Sequence, residues 1–155
     1  MDRRQPWDAY FLGIAHEVAR RSTCPRKAVG CVLTVNRRII ATGYNGSLSG
    51  HPHCTEAGCV ITETTYFEHN RVTMQHCIRA VHAETNAVTQ SARNGCVTEG
   101  STAYVTASPC VQCMMNLISA GVSKVIFAES YRLNLTEPIA KASGVALLHI
   151  PDWRP

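Results

Sequence analysis

Two short stretches carry residues that can do chemistry. In "AVHAETNAV" (Ala80–Val88) a histidine and a carboxylate, His82 and Glu84, stand two positions apart among small and apolar residues. Positions two apart on a helix do not share a face, so the pair does not read as a surface salt bridge. In "SPCVQC" (Ser108–Cys113) two thiols, Cys110 and Cys113, stand three apart. Ser108 and Pro109 make a good helix start there, as N-cap and first helical residue. The spacing puts both sulfurs on one face, and a helix N-terminus favours the thiolate that a metal needs. A catalytic zinc takes three protein ligands and keeps its fourth position for water. His82 is the natural third ligand beside Cys110 and Cys113. Glu84 does not ligate; its role is to hold the water and move its proton. Taken alone, the Cys-x-x-Cys pair is open to two other readings, a thioredoxin-like redox pair and half of a structural zinc site. A zinc-stapled binding module would not need an isolated Glu84 beside the ligand.

Such residues must be held by a core. The chain has 155 residues, 45% hydrophobic and 17% charged, which fits one globular domain. The formal net charge is +4 with no Lys/Arg block, so no nucleic-acid track is expected, although an anionic small molecule would be favoured. No apolar run spans a membrane, and Met1–Arg4 is not followed by a signal-peptide core; a cytoplasmic protein is expected. In that setting eight cysteines and seven histidines point to metal or catalysis before disulfides.

Trp7, Phe11, Ile14 and Val18 recur at helical spacing and predict an amphipathic helix over Trp7–Arg21. Val29–Val35 and Ile39–Tyr44 read as a hairpin turned at Asn36–Arg38. From Asn45 to about Gln75 the periodicity is poor, which predicts a long functional loop. A helix over His82 to about Arg93, a strand over Ser101–Ser108 and a helix from Pro109 to about Gly121 follow. The chain closes with a strand over Lys124–Ser130, a short helix over Glu137–Ser143 and a strand over Val145–Ile150. This order predicts a single α/β domain over residues 1–155, with a Cys/His-rich insertion at about 45–77. Its mixed central sheet has about five strands, with helices on both faces.

His-Ala-Glu opening a helix, then a strand, then Pro-Cys-x-x-Cys opening the next helix is the signature of zinc-dependent deaminases, with the Glu as general acid and base. Over nearly its whole length the chain resembles the deoxycytidylate (dCMP) deaminases of the cytidine deaminase-like superfamily. The likeness rests on "RSTCPRKAVGCVL" (Arg21–Leu33), "IIATGYNGSLSG" (Ile39–Gly50), "HC" at His53–Cys54, "HCIRAVHAETNAV" (His76–Val88) and "YVTASPCVQC" (Tyr104–Cys113). Leu48 departs from it, standing where many relatives have proline. The resemblance implies hydrolytic deamination of dCMP to dUMP with release of ammonia, supplying dUMP for thymidylate synthesis. Zinc lowers the pKa of bound water; Glu84 takes the proton, passes it to N3 of cytosine, and later carries one to the departing amine after attack at C4.

Four residues are candidates for substrate contact. Asn45 would bind the sugar or base edge, Arg26 the 5′-phosphate, Ser108 the base, and Tyr131 resembles a family position near substrate. Each has a plainer reading: a turn residue before Gly46, a solvated surface arginine, a helix cap, and a half-buried tyrosine. Many dCMP deaminases are hexamers activated by dCTP and inhibited by dTTP, and "ARNG" (Ala92–Gly95) resembles an effector segment with Arg93 as the contact. The plainer reading of Arg93 is a helix-end arginine that favours the dipole. Beyond the catalytic set, Cys24, Cys54, Cys59, Cys77, His53, His69 and His76 are available. Some family members carry a second, structural zinc, and the candidates here are Cys24, Cys54 and Cys77, with His76 or Cys59 as fourth ligand, pinning the insertion against the catalytic helix. Buried free thiols are the alternative. Cys31 and Cys96 read as packing residues. A rival keeps the chemistry and changes the substrate to another cytosine or guanine nucleoside or base, or to a base in RNA or single-stranded DNA; with 6% aromatics the last has little support.

Overall fold

A computed structural model describes residues 4–66, 71–131, 133–151 and 153. The chain opens with helix α1 (Trp7–Ala19), strands β1 (Gly30–Val35), β2 (Arg38–Tyr44) and β3 (Gly46–Ser47), and the one-turn helix α2 (Cys54–Ala57). Strands β4 (Ile61–Tyr66), β5 (Val72–Cys77) and β6 (Ala80–Val81) lead to helix α3 (Ala83–Arg93). Then come β7 (Thr102–Ala107), α4 (Val111–Ser119), β8 (Lys124–Glu129), α5 (Leu133–Ala142) and β9 (Ala146–His149).

Five of the strands form one mixed sheet in the order β2-β1-β7-β8-β9. β1 is antiparallel to both neighbours, and β7, β8 and β9 run parallel. The turn between β1 and β2 is Asn36–Arg37, both at positive φ, the geometry that suits the twist of a tight hairpin. Because strand side chains alternate, each strand feeds two cores. Val32, Tyr104 and Ile126 pack on one face against Phe11, Leu12 and Ala15 of α1. Cys31, Leu33, Ala103, Val105 and Val125 pack on the other against Ala83 and Ala87 of α3, Met114 and Leu117 of α4, and Ala140 of α5. Helices therefore cover both faces, as the element order predicts, and Cys31 is a core residue.

Three local expectations are corrected. The stretch after Asn45 is not a structureless loop. It contains the β3–β6 ladder, α2 and a six-pair β4–β5 hairpin. Periodicity misses the hairpin because its residues are mostly exposed or half-buried, with Met74 and Cys77 its only buried members. α5 begins at Leu133, before the predicted Glu137, and carries Pro138 inside it. Leu135, packed with Met74 and Val111, anchors the extra turn, so tertiary contact outweighs the helix-breaking residue. α4 begins at Val111 with Cys110 as N-cap, so Ser108 is not its cap.

Candidate active site

α3 and α4 both start at the same end of the sheet, and their first residues meet. His82 is the N-cap of α3 with extended backbone, φ −74° and ψ 154°, while Glu84 is already inside the first turn. That change of backbone state lets two residues two positions apart address neighbouring points. His82 Nδ1 lies 3.5 Å from Cys110 Sγ and 3.3 Å from Cys113 Sγ. A tetrahedral zinc with Zn–S of about 2.3 Å and Zn–N of about 2.0–2.1 Å requires N···S edges of about 3.5 Å. The three donors therefore fit the ion that the sequence implies.

Their electrostatics agree. The hydrogen bond with Cys113 pulls the Cys110 thiol down to about 4; burial opposes this, and the neighbouring His82 adds to it. The same hydrogen bond, then burial, pushes the Cys113 thiol far up. Two sulfurs thus share one proton, the place a cation would take. His82 is raised, chiefly by its hydrogen bond with Cys110, against its burial. Glu84 is only 4% exposed. Burial pushes its carboxyl above the ordinary range and the negative Cys110 adds to this, while its own amide N–H, His82 and Cys113 pull the other way. A carboxylate held in this way is a stronger base than one in water.

A layer of residues with no sequence signature locks the site. Asn86 Nδ2 donates to Tyr44 O at 2.8 Å, and Gln90 Oε1 accepts from Thr42 N at 2.8 Å, fastening one face of α3 to β2. Gly43 lies between them, where an added Cβ would run into the backbone of Ala83 and Ala87. Asn116 Nδ2 donates to Thr85 Oγ1 at 3.2 Å, and that hydroxyl lies 4.0 Å from Cys113 Sγ. The spacing of Asn86 and Gln90 at i and i+4 is the one signal the sequence offers, and it names no partner.

The other candidates are distributed around this centre. Asn45 is 9% exposed and much of its amide is used. Its Oδ1 accepts from Val29 N and Ser22 Oγ, and its Nδ2 donates to Lys27 O. It therefore pins the segment from Ser22 to Val29, which carries exposed Arg26. Ser108 Oγ accepts from Tyr131 N and donates to Tyr131 O, both at 2.6 Å, joining the ends of β7 and β8. Lys27 Nζ bonds Glu129 at 2.7 Å and lies 5.2 Å from the centroid of the Tyr131 ring, a cation beside three candidates that the sequence reading did not single out. Arg93 lies in the last turn of α3, about 16 Å along the helix from His82.

For the second metal, the ligand set changes. Cys54, Cys59 and Cys77 place their sulfurs within 4.8 Å of one another, and Cys24 and His76 are not in that group. Neighbours on β5 point to opposite faces, and Cys77, not His76, takes the buried one. Cys24 sits before β1, beyond Ser22, whose Oγ accepts its amide. His69 lies outside the described residues.

A His-Cys-Cys donor set at two converging helix starts, with a buried carboxylate beside it, defines a metal-binding α/β domain equipped for proton transfer. The chain belongs to the family described as the cytidine and deoxycytidylate deaminase zinc-binding region, whose model matches residues 5–129. It is 41% identical to ComE operon protein 2 of Bacillus subtilis (strain 168) over 138 residues, 89% of this chain and 66% of that one. It is 34% identical to the deoxycytidylate deaminase of Schizosaccharomyces pombe over 93% of this chain and 44% of that one. The chain thus spans less than two thirds of either relative. Among solved structures, dCMP deaminase from the cyanophage S-TIM5 in complex with dCMP and dUMP superposes with a TM-score of 0.76 at 27% identity, covering 96% of this chain and 100% of that one.

Proposed function

We propose that this chain catalyses the zinc-dependent hydrolytic deamination of dCMP to dUMP, releasing ammonia and supplying dUMP for thymidylate synthesis. The observation that carries the reading is the convergence of His82, Cys110 and Cys113 beside buried Glu84. Zinc held by those three ligands supplies the Lewis acidity that brings water towards ionisation at neutral pH. Glu84, as carboxylate, takes a proton from the attacking water and delivers it to N3 of cytosine, making C4 more electrophilic. Once the water oxygen has bonded to C4, Glu84 takes the remaining proton of that hydroxyl and passes it to the 4-amino group, so that the C4–N bond breaks, ammonia leaves and the C4 carbonyl of dUMP forms. One carboxylate serves as base and acid in turn, and its burial suits both tasks.

The substrate contacts belong to the same reading. Arg26, on the segment that Asn45 pins, takes the 5′-phosphate, for which its planar fork is suited. Asn45 offers its remaining amide hydrogen to the sugar or base edge. Ser108 and Tyr131, tied to each other, border the base. Regulation by dCTP and dTTP, with Arg93 as an effector contact, and assembly as a homohexamer follow from the family resemblance. A cytoplasmic setting belongs to the same reading, in which the cysteines serve metal sites rather than disulfides. A second, structural zinc rests on the thiols of Cys54, Cys59 and Cys77. The test is product analysis: dCMP consumed by the zinc-loaded protein should yield dUMP and ammonia in equal amounts, faster with dCTP and slower with dTTP. Absence of dUMP removes the reading; a rate indifferent to both effectors removes the regulation.

A further inference from the structure

The two thiols of the active site are not equivalent. Cys110 is half-buried, and the backbone amide of Cys113 donates to its sulfur. Cys113 is 1% exposed, so water has almost no access to the charge its sulfur carries as a metal ligand. Glu84, 4% exposed, lies within hydrogen-bond reach of the same sulfur and adds a like charge. A buried thiolate beside a carboxylate calls for a donor from the protein.

One hydroxyl is placed to supply it. Thr85 follows Glu84 on α3, and its Oγ1 lies 4.0 Å from Cys113 Sγ, the outer reach of a hydrogen bond to sulfur. A metal-bound thiolate has no proton to give, so the hydroxyl is the donor. Asn116 Nδ2 donates to Thr85 Oγ1 at 3.2 Å. Asn116 Oδ1 in turn accepts from Gln112 Nε2 at 3.3 Å, one turn back on α4. Among the described residues, Cys113 Sγ and Asn116 Nδ2 are the hydrogen-bond partners of this hydroxyl.

The polarity of the chain is fixed. A hydroxyl has one proton, so Thr85 cannot donate to Cys113 and to Asn116 at once. Asn116 must therefore turn its NH2 towards Thr85, which leaves its carbonyl for Gln112. Each donor polarises the next, and the series Gln112, Asn116, Thr85 ends with a proton aimed at Cys113. It also crosses from α4 to α3 and back, joining the two helices that bring the ligands together.

We propose that Thr85, oriented by Asn116, donates a hydrogen bond to the Cys113 thiolate, fixing that sulfur and drawing off part of its charge so that the bound metal remains a stronger Lewis acid. Thr85 is a positioning residue and touches no reacting atom. The proposal rests on the metal site of the deaminase reading above but not on its substrate. Cys110 takes its donor from the backbone, so the relay to Cys113 is the part of the ligand environment that side chains set.

The test uses the intact chain, reduced, with cobalt in place of zinc. The thiolate-to-cobalt absorption lost when Cys110 and Cys113 are both changed to Ser belongs to this site. Chelator titration followed on that absorption gives the affinity of this site alone. Thr85→Val keeps the side-chain shape and removes the hydroxyl. It should move the absorption to longer wavelength, because a sulfur without its donor gives up charge to the metal more readily. It should also weaken metal affinity by about tenfold or more, the size of effect expected for a group that supports a ligand. On the zinc-loaded protein, kcat for dCMP should fall by a similar factor. Thr85→Ser should restore absorption, affinity and kcat. Asn116→Asp, with Thr85 in place, should shift the absorption in the same direction, since the carboxylate draws the Thr85 proton away from sulfur. Weaker affinity with an unmoved absorption in Thr85→Val reduces Thr85 to packing and overturns the donor. Thr85→Ser behaving as Thr85→Val overturns it as well. Should Thr85→Val fail to fold, Asn116→Asp decides alone: a wild-type absorption overturns the relay, and the shift supports it. Absence of cobalt from this site overturns the relay and the deaminase reading together. The expected shifts in a protein that does not deaminate dCMP leave the relay standing and remove the deaminase reading.

Discussion

Glu84 concentrates the chemistry in one side chain. It is the one carboxylate in the first turn of α3, buried beside His82, Cys110 and Cys113, and the proposed mechanism gives it every proton transfer. Glu84→Gln should therefore keep the catalytic zinc and lose activity by about 10²- to 10⁴-fold, the range for a general acid–base group. Metal content measured with kcat checks this, and retained turnover removes Glu84 from the mechanism. His16 offers a second test at this scale, far from the metal. Its ring stacks on Trp153 at 4.0 Å, and Nε2 is buried without a hydrogen-bond partner. Burial lowers its pKa, with Glu129 opposing. A histidine whose folded pKa is lowered favours the neutral form in the fold. Stability is therefore complete above the unfolded value of about 6.5 and is lost as pH falls through it, down to the folded pKa. His16→Phe, which keeps a ring on Trp153, should lose less melting temperature than the wild type between pH about 7.5 and about 5.5. An unchanged pH slope refutes the assignment.

The four residues of the centre were legible because their chemistry constrains type and spacing together. Neither the thiol pair three apart nor the His-x-Glu pair is specific alone; their combination at two successive helix starts is. Asn86, Gln90, Thr85 and Asn116 were not legible, since each acts through a partner 28 to 48 positions away that only the fold supplies. Asn45 shows the middle case. Its importance could be read from the Gly-Tyr-Asn-Gly segment, but its use as a pin for Val29, Ser22 and Lys27 could not.

At the scale of elements, the site depends on α3 lying close on β2. Gly43 permits that approach, since a methyl there meets the backbone of Ala83 and Ala87, which cannot rotate away. Gly43→Ala should displace the start of α3, cost about 1–3 kcal/mol of stability as overpacking does, and reduce kcat by about 10²-fold as a small misplacement of catalytic groups does. Thermal denaturation and steady-state kinetics on the same preparation check both; wild-type kcat would show that α3 is not held by this contact. The main sheet was readable from continuous apolar and β-branched runs, because its central strands are buried on both faces. The β4–β5 hairpin hid because it is mostly exposed, and α5 because Leu135 and Pro138 gave opposite signals that only contact with Met74 and Val111 resolves.

For the whole molecule, α3 and α4 start at one end of the sheet and bring His82, Cys110 and Cys113 together there beside buried Glu84. No helix among the described residues is long and apolar enough to cross a membrane. The net charge of +4 suits a small anionic substrate better than a polynucleotide. The central claim concerns which molecule enters, and kcat/KM tests it directly. Measured on the zinc-loaded chain with dCMP, CMP, deoxycytidine and dCTP, the value should be highest for dCMP, with deoxycytidine penalised for lacking the phosphate that Arg26 is proposed to hold. A value for deoxycytidine or CMP equal to or above that for dCMP contradicts the account.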